Sequence, residues 1–250
     1  MWSQHEEIYK PFFEEFRKVA HWLSLRGWAE ANAGNMSLRL HEKNIPSPLS
    51  SIYKEELKRA YPHLKGKFLA ITGARKRMRD IALGDFVENI SIIRICENGK
   101  SYETYFGPEK PTSELPTHLE IHSKLVALGK KERAVVHTHP TKLVALSHTK
   151  AFSSAEGYLN ILFKLHPETS ILLAEGVAYL DYQLPGSYEL GKKTAEAITT
   201  KKLVIWQHHG VVAIGESLSR SLDRIELLEK AAEIYFLVRA VGEEPKGIKG

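Results

Sequence analysis

The chain has 250 residues, 43% hydrophobic and 26% charged, a balance that excludes a disordered or fibrous protein and allows one large core or two small ones. Its single cysteine, Cys96, excludes an intrachain disulfide, and the charged, amphipathic start excludes the apolar core of a secretion signal, so a cytoplasmic protein is expected. The net charge of +5 comes without aromatic RNA motifs or zinc-finger spacing, and no window approaches the roughly 20 apolar residues of a membrane span, so neither nucleic acid nor membrane is an expected partner.

Residues 8 to 25 set Ile8, Phe12, Phe16, Val19 and Leu23 at spacings of three and four, an amphipathic helix closed by Gly27. "WAEANAGNMSLRL" is a turn feeding a strand with alternating Met36, Leu38 and Leu40. Residues 41 to 66 form a polar, proline-punctuated insertion with a short helix expected at "YKEELKRAY", and "KFLAITG" returns to strand. The basic "ARKRMR" that follows reads first as a solvated face and second as a contact for a phosphorylated small molecule. "NISIIRICENGKSYETYFG" alternates as two strands across an Asn98-Gly99 turn.

Further on, a helix from about Pro116 to Leu128 precedes the strand "RAVVHTH", the short helix "TKLVALSHT" and an expected strand at "TSILLAEGV". A helix starting near Gly186 or Ser187 leads to the strand pair "LVIWQHHGVVAIG". A long closing helix follows, with Leu222, Ile225, Leu228 or Glu229, and Ala232 on one face. Strands and helices intermix without linker or repeat, which predicts an α/β single domain over residues 1–250. Its central sheet is mixed and largely antiparallel, with helices on both faces.

On a strand, His137 and His139 project from the same side with Cα atoms about 6.5 to 7 Å apart, so their imidazoles can converge on one ion. A catalytic zinc needs a third protein ligand and an open position. His209 is the expected third ligand, with His208 as the alternative, because alternation lets only one face a given site and Gly210 permits close backbone approach or positive φ. His118 and His122 share a helix face, but lack the glutamate of a His-Glu-x-x-His site and are expected as buried or capping residues. Glu114 stands between a polar turn and a helix start, where it reads either as a first-turn acid or as a carboxylate beside an anion site formed with Thr112 and Ser113.

In this order, "GWAEANAGNMSLRL", "FLAITG", "PTSELPTHLEIH", "AVVHTHP", "PGSYELGKKTAEAI" and "VIWQHHGVVAIGESL" resemble the class II aldolase/adducin family over almost the whole chain. Within it, the wording is nearest the branch that cleaves L-rhamnulose 1-phosphate. The resemblance implies one Zn2+ per subunit held by His137, His139 and His209, with Glu114 as the catalytic carboxylate. It implies a second acid/base at Glu168, reaching into a neighbouring subunit of a cyclic homotetramer with interfacial active sites. A phosphate pocket is implied at Asn32, Gly34, Asn35, Thr72, Gly73, Thr112 and Ser113.

The implied partner is a small sugar phosphate. The implied reaction breaks its C3–C4 bond through a zinc-bound enediolate, giving dihydroxyacetone phosphate and L-lactaldehyde. Ala74 departs from the family pattern, removing a hydroxyl from the phosphate pocket where Arg75 or Lys76 can supply charge. The competing expectations are an L-fuculose-phosphate aldolase, a ribulose-phosphate 4-epimerase or an adducin-like interaction module.

Overall fold

The fold comes from a computed structural model that describes residues 4–41 and 50–248, with side chains from Lys10 onward. The expected Ile8 side chain and residues 42–49 of the polar insertion lie outside the described residues. The helices are α1 (Gln4–Leu25), α2 (Met78–Leu83), α3 (Leu115–Ala127), α4 (Thr141–Leu146), α5 (Ala155–Ile161), α6 (Pro167–Leu172), α7 (Tyr188–Ala197) and α8 (Leu218–Ala240). The strands are β1 (Asn35–Arg39), β2 (Tyr53–Glu56), β3 (Phe68–Thr72), β4 (Ile90–Ile95), β5 (Ser101–Phe106), β6 (Ala134–Thr138), β7 (Ala178–Leu180), β8 (Leu203–Trp206) and β9 (Gly210–Gly215).

The strands join into one sheet in the order β2-β5-β4-β3-β1-β6-β9-β8-β7. Every pairing is antiparallel except the parallel β7–β8 edge. The mixed, largely antiparallel sheet expected from the hairpins is the one present.

Alternation along the central strands divides the core between two faces. Met36 and Leu38 of β1 and Ala134 and Val136 of β6 pack with Phe16, Leu23, Ile225 and Leu228 of α1 and α8. Val135 of β6 and Val212 and Ile214 of β9 pack on the other face with Ile121, Leu125, Leu190 and Ile198 from the α3–α7 region. Glu229, buried within α8, accepts hydrogen bonds from the Lys142 and Leu143 backbone N–H groups at 3.0 Å each and so caps α4. No helix among the described residues is long and apolar enough to cross a membrane.

Two elements differ from the sequence expectation. "YKEELKRAY" is not a helix: Tyr53–Glu56 forms edge strand β2, paired with β5 in the register Tyr53↔Thr104 and Glu55↔Tyr102. The Tyr102 hydroxyl donates to Glu55 Oε2 at 2.9 Å, so a cross-strand partner overrides the helix preference of Lys and Glu. "TSILLAEGV" is not one strand: it begins within α6, whose Pro167 and Glu168 occupy the first turn, and only Ala178–Leu180 pairs in the sheet. A short apolar run does not separate strand from helix by periodicity, whereas proline in a first turn is a helix signal.

Candidate active site

Cross-strand register builds the site from three central strands. Asn35 of β1 lies opposite His137 of β6, and His137 lies opposite Val212 of β9. Asn35, Ser37 and His137 therefore share the sheet face against which α3 packs. His139 leaves β6 just past its last paired residue, with its backbone N–H tied to the Trp28 carbonyl at 2.8 Å.

His209 arrives from the tight β8–β9 connection. His208 just before it takes a positive φ of 61°, which turns consecutive side chains apart. The His208 ring is stacked 4.0 Å from His148 at an interplanar angle of 11°, while His209 enters the cluster. Gly210 permits the approach: a Cβ there would lie 2.5 Å from the Thr138 carbonyl oxygen and 2.8 Å from His139 Cδ2. Its role is close packing rather than positive φ.

His137, His139 and His209 each offer a ligand atom within 4.8 Å of the others. Hydrogen bonds fix two of the three rings. His137 Nδ1 donates to the Val211 carbonyl at 3.0 Å, and His139 Nδ1 donates to Glu30 Oε1 at 2.8 Å. In a neutral imidazole this leaves Nε2 as a bare acceptor, and the two Nε2 atoms face each other at 3.3 Å.

Facing lone pairs repel unless a cation lies between them. Nitrogens about 2.0 to 2.1 Å from a tetrahedral zinc are spaced by about 3.3 Å, so the observed separation fits a metal ion. Burial, followed by the electrostatic influence of the neighbouring His139 ring, pushes His137 down to about 3. Burial, followed by His137, pushes His209 down to about 4. Both imidazoles are therefore neutral and ready to ligate at neutral pH.

Glu114 stands at the N-cap of α3 and is nearly buried. Its Oε2 is 3.7 Å from His137 Nε2 and its Oε1 is 3.8 Å from His209 Nε2, too far for direct hydrogen bonds. A donor is closer: Asn35 Nδ2 reaches Oε2 at 3.3 Å. Behind Asn35 lies a buried chain of His118, Ser37 and His122, so the expectation of buried histidines at those two positions holds.

His118 is pushed down to about 4 by burial, partly countered by Glu114, and His122 lies well below its ordinary value through burial, then His118 and Arg39. The unfolded chain takes up these protons near pH 6.5, before the folded chain does. Stability is consequently intact above about pH 6.5 and is lost as pH falls toward the folded values. His118 alone is expected to remove on the order of 2 to 3 kcal/mol between about pH 6.5 and pH 4.5, read as a falling urea midpoint of the metal-free protein. A flat midpoint across that interval would contradict this.

The histidines and Glu114 open on a cavity of about 550 Å³. Asn32, Gly34, Asn35, Thr72, Gly73, Thr112 and Ser113 all line it. Several of these have little hydrogen-bonding capacity to spare. Thr72 Oγ1 accepts from the Met36 N–H at 3.0 Å and donates to the Met36 carbonyl at 3.3 Å, and the Asn35 amide spans Glu114 and His118, whereas Thr112 Oγ1, which accepts from the Glu114 N–H at 3.3 Å, keeps its hydroxyl proton to donate. Gly73 packs against Pro108, where a Cβ would come within 2.6 Å of Cγ. Arg75, Lys76 and Lys110 also line the cavity, and Arg75 has a positive φ of 62°.

Glu168 does not line this cavity; it is exposed on α6 and pairs with His166 at 3.0 Å. Sequence reading missed Glu30, which orients His139. Replacing an outer-shell partner typically costs 10- to 100-fold in metal affinity, so Glu30→Ala is expected to weaken metal binding by about that factor in a chelator competition. Unchanged affinity would show that Glu30 does not orient the ring.

The model of the Class II Aldolase and Adducin N-terminal domain matches residues 14–236. Rhamnulose-1-phosphate aldolase of Bacteroides thetaiotaomicron is 35% identical over 92% of this chain and 87% of its own. The enzyme of the same name from Enterococcus faecalis is 34% identical over 93% and 85%. The crystal structure of a sugar-phosphate aldolase from Thermotoga maritima superposes with a TM-score of 0.84 at 39% identity, covering 95% of this chain and 99% of that one.

Proposed function

The chain belongs to the class II aldolase and adducin family, and from that premise we propose that it is a zinc-dependent aldolase cleaving L-rhamnulose 1-phosphate to dihydroxyacetone phosphate and L-lactaldehyde. The observation that carries this reading is the convergence of His137, His139 and His209 beside Glu114, with paired Nε2 acceptors 3.3 Å apart. A divalent ion held there supplies Lewis-acid stabilisation of negative charge developing on the ketose oxygens.

The side chains do the rest. Cleavage of the C3–C4 bond requires a proton to leave the C4 hydroxyl and another to arrive at C3. As a carboxylic acid Glu114 delivers the C3 proton in cleavage, and as a carboxylate it removes that proton in condensation, with Oε2 fixed by the Asn35 amide. Trp206 packs behind the metal-site histidines, with its ring 4.5 Å from that of His137 and its Nε1–H bonded to Thr194 Oγ1 at 3.0 Å. The phosphate dianion occupies the polar end of the cavity near Asn32, Gly34 and Ser113, where Arg75 and Lys76 provide positive charge.

Glu168, outside the cavity of its own chain, acts on the C4 hydroxyl of a neighbouring subunit's substrate in a homotetramer. The cytoplasmic location fits Cys96, a free buried thiol. The complete histidine set favours an enzyme over an adducin-like interaction module.

Substrate choice is tested by comparing kcat/KM of zinc-loaded protein for L-rhamnulose 1-phosphate, L-fuculose 1-phosphate and L-ribulose 5-phosphate. Preference for the first with release of free aldehyde is expected. Faster turnover of fuculose 1-phosphate, or isomerised pentulose phosphate without free aldehyde, would replace the proposed substrate.

A further inference from the structure

The side chains behind Glu114 have one self-consistent proton order. An ionised carboxylate only accepts, so Asn35 must turn its amide N–H to Glu114 and its Oδ1 to His118 Nε2, 2.6 Å away. His118 therefore carries its proton on Nε2. Because burial keeps this ring neutral, Nδ1 is bare and accepts from the Ser37 hydroxyl at 2.6 Å. The Ser37 oxygen in turn accepts from His122 Nε2–H at 2.8 Å.

His122 Nδ1, buried with no hydrogen-bond partner among the described residues, is then an acceptor at the far end of the chain. The opposite order would make that nitrogen an unpartnered buried N–H and would turn Asn35 Oδ1 against the carboxylate. Both changes carry a desolvation or repulsion cost. Each of Asn35, Ser37, His118 and His122 is at most 5% exposed, so water has little access to reverse the order.

We propose that His118 and Ser37 are positioning residues that act through Asn35, locking its amide N–H onto the Glu114 carboxylate so that the free carboxylate oxygen faces the substrate carbon. This role rests on Glu114 carrying the proton transfer proposed above. Neither His118 nor Ser37 lines the cavity; both act on the reaction through the orientation of one amide.

The test is a double-mutant cycle on the zinc-loaded protein with L-rhamnulose 1-phosphate. His118→Phe is expected to lower kcat by about 10- to 100-fold, the scale of a misplaced catalytic group, with little change in KM. His118→Gln, which keeps an N–H near the position of Nε2, is expected to recover most of that loss. In a Glu114→Gln background, His118→Phe is expected to cost nothing further, because both changes disable one unit. An equal loss in both backgrounds, or an unchanged kcat in the wild-type background, would overturn the proposal.

Nitrogen-15 NMR of the unmutated protein supplies an independent reading if the phenylalanine variant fails to fold. His118 protonated on Nε2 supports the order, and protonation on Nδ1 overturns it. Full turnover by Glu114→Gln would instead overturn the catalytic assignment of Glu114, and the His118 tautomer would still report the orientation separately.

Discussion

His139→Ala is expected to lose bound metal and cleavage activity together, with kcat falling by about 10³-fold or more. A Lewis acid contributes several kcal/mol of charge stabilisation, and each 1.4 kcal/mol or so is tenfold in rate. His139 is a better probe than His137. Its side chain is 18% exposed just beyond the end of β6, whereas that of His137 is 2% exposed inside the sheet. Truncation at His139 removes one ligand and frees Glu30 while leaving the strand ladder intact. Metal analysis, kinetics and circular dichroism on the same preparation would separate ligand loss from unfolding. Undiminished zinc content would contradict its ligand role.

Glu114→Gln should produce the opposite pattern: metal retained and turnover lost. Glutamine preserves the volume and can still accept from Asn35, but it has no carboxylate to exchange a proton at C3. General acid–base groups contribute roughly 10²- to 10⁴-fold, and a kcat loss in that range is expected. The exchange of the C3 hydrogen of dihydroxyacetone phosphate with solvent, followed by NMR, should fall in parallel. Normal exchange and turnover would remove Glu114 from its assigned role.

These two residues also show what can be read from a sequence. The alternation of "RAVVHTH" placed His137 and His139 on one side of a strand, and β6 with its extension brings their rings to a centroid distance of 5.0 Å. The choice of His209 over His208 could be framed but not decided locally. It depends on a left-handed turn at His208, a non-glycine residue whose conformation leaves little local signal. Gly210 was the legible clue, and its close approach to β6 is present.

Other features depend on elements distant in sequence. Glu30 reaches His139 across 109 positions, and Ser37 joins His118 and His122 across 81 and 85. Periodicity puts Met36, Leu38 and Leu40 on one strand face and the two histidines on one helix face; it neither singles out Ser37 nor shows that its face meets theirs. The error at β2 has the same origin, since an edge-strand partner outweighs the local pattern, whereas at α6 a local signal, Pro167 in a first turn, outweighs the short apolar run. Glu168 is the converse case: family wording supplied a role that one chain's geometry does not bring to the cavity.

The most direct measurement is the release of dihydroxyacetone phosphate from L-rhamnulose 1-phosphate, coupled to a reductase, before chelation, after chelation and after zinc is restored. A metal-dependent aldolase built on His137, His139 and His209 predicts release that disappears with the chelator and returns with zinc. Undiminished release from thoroughly chelated protein, or none from the zinc-loaded protein, would contradict it.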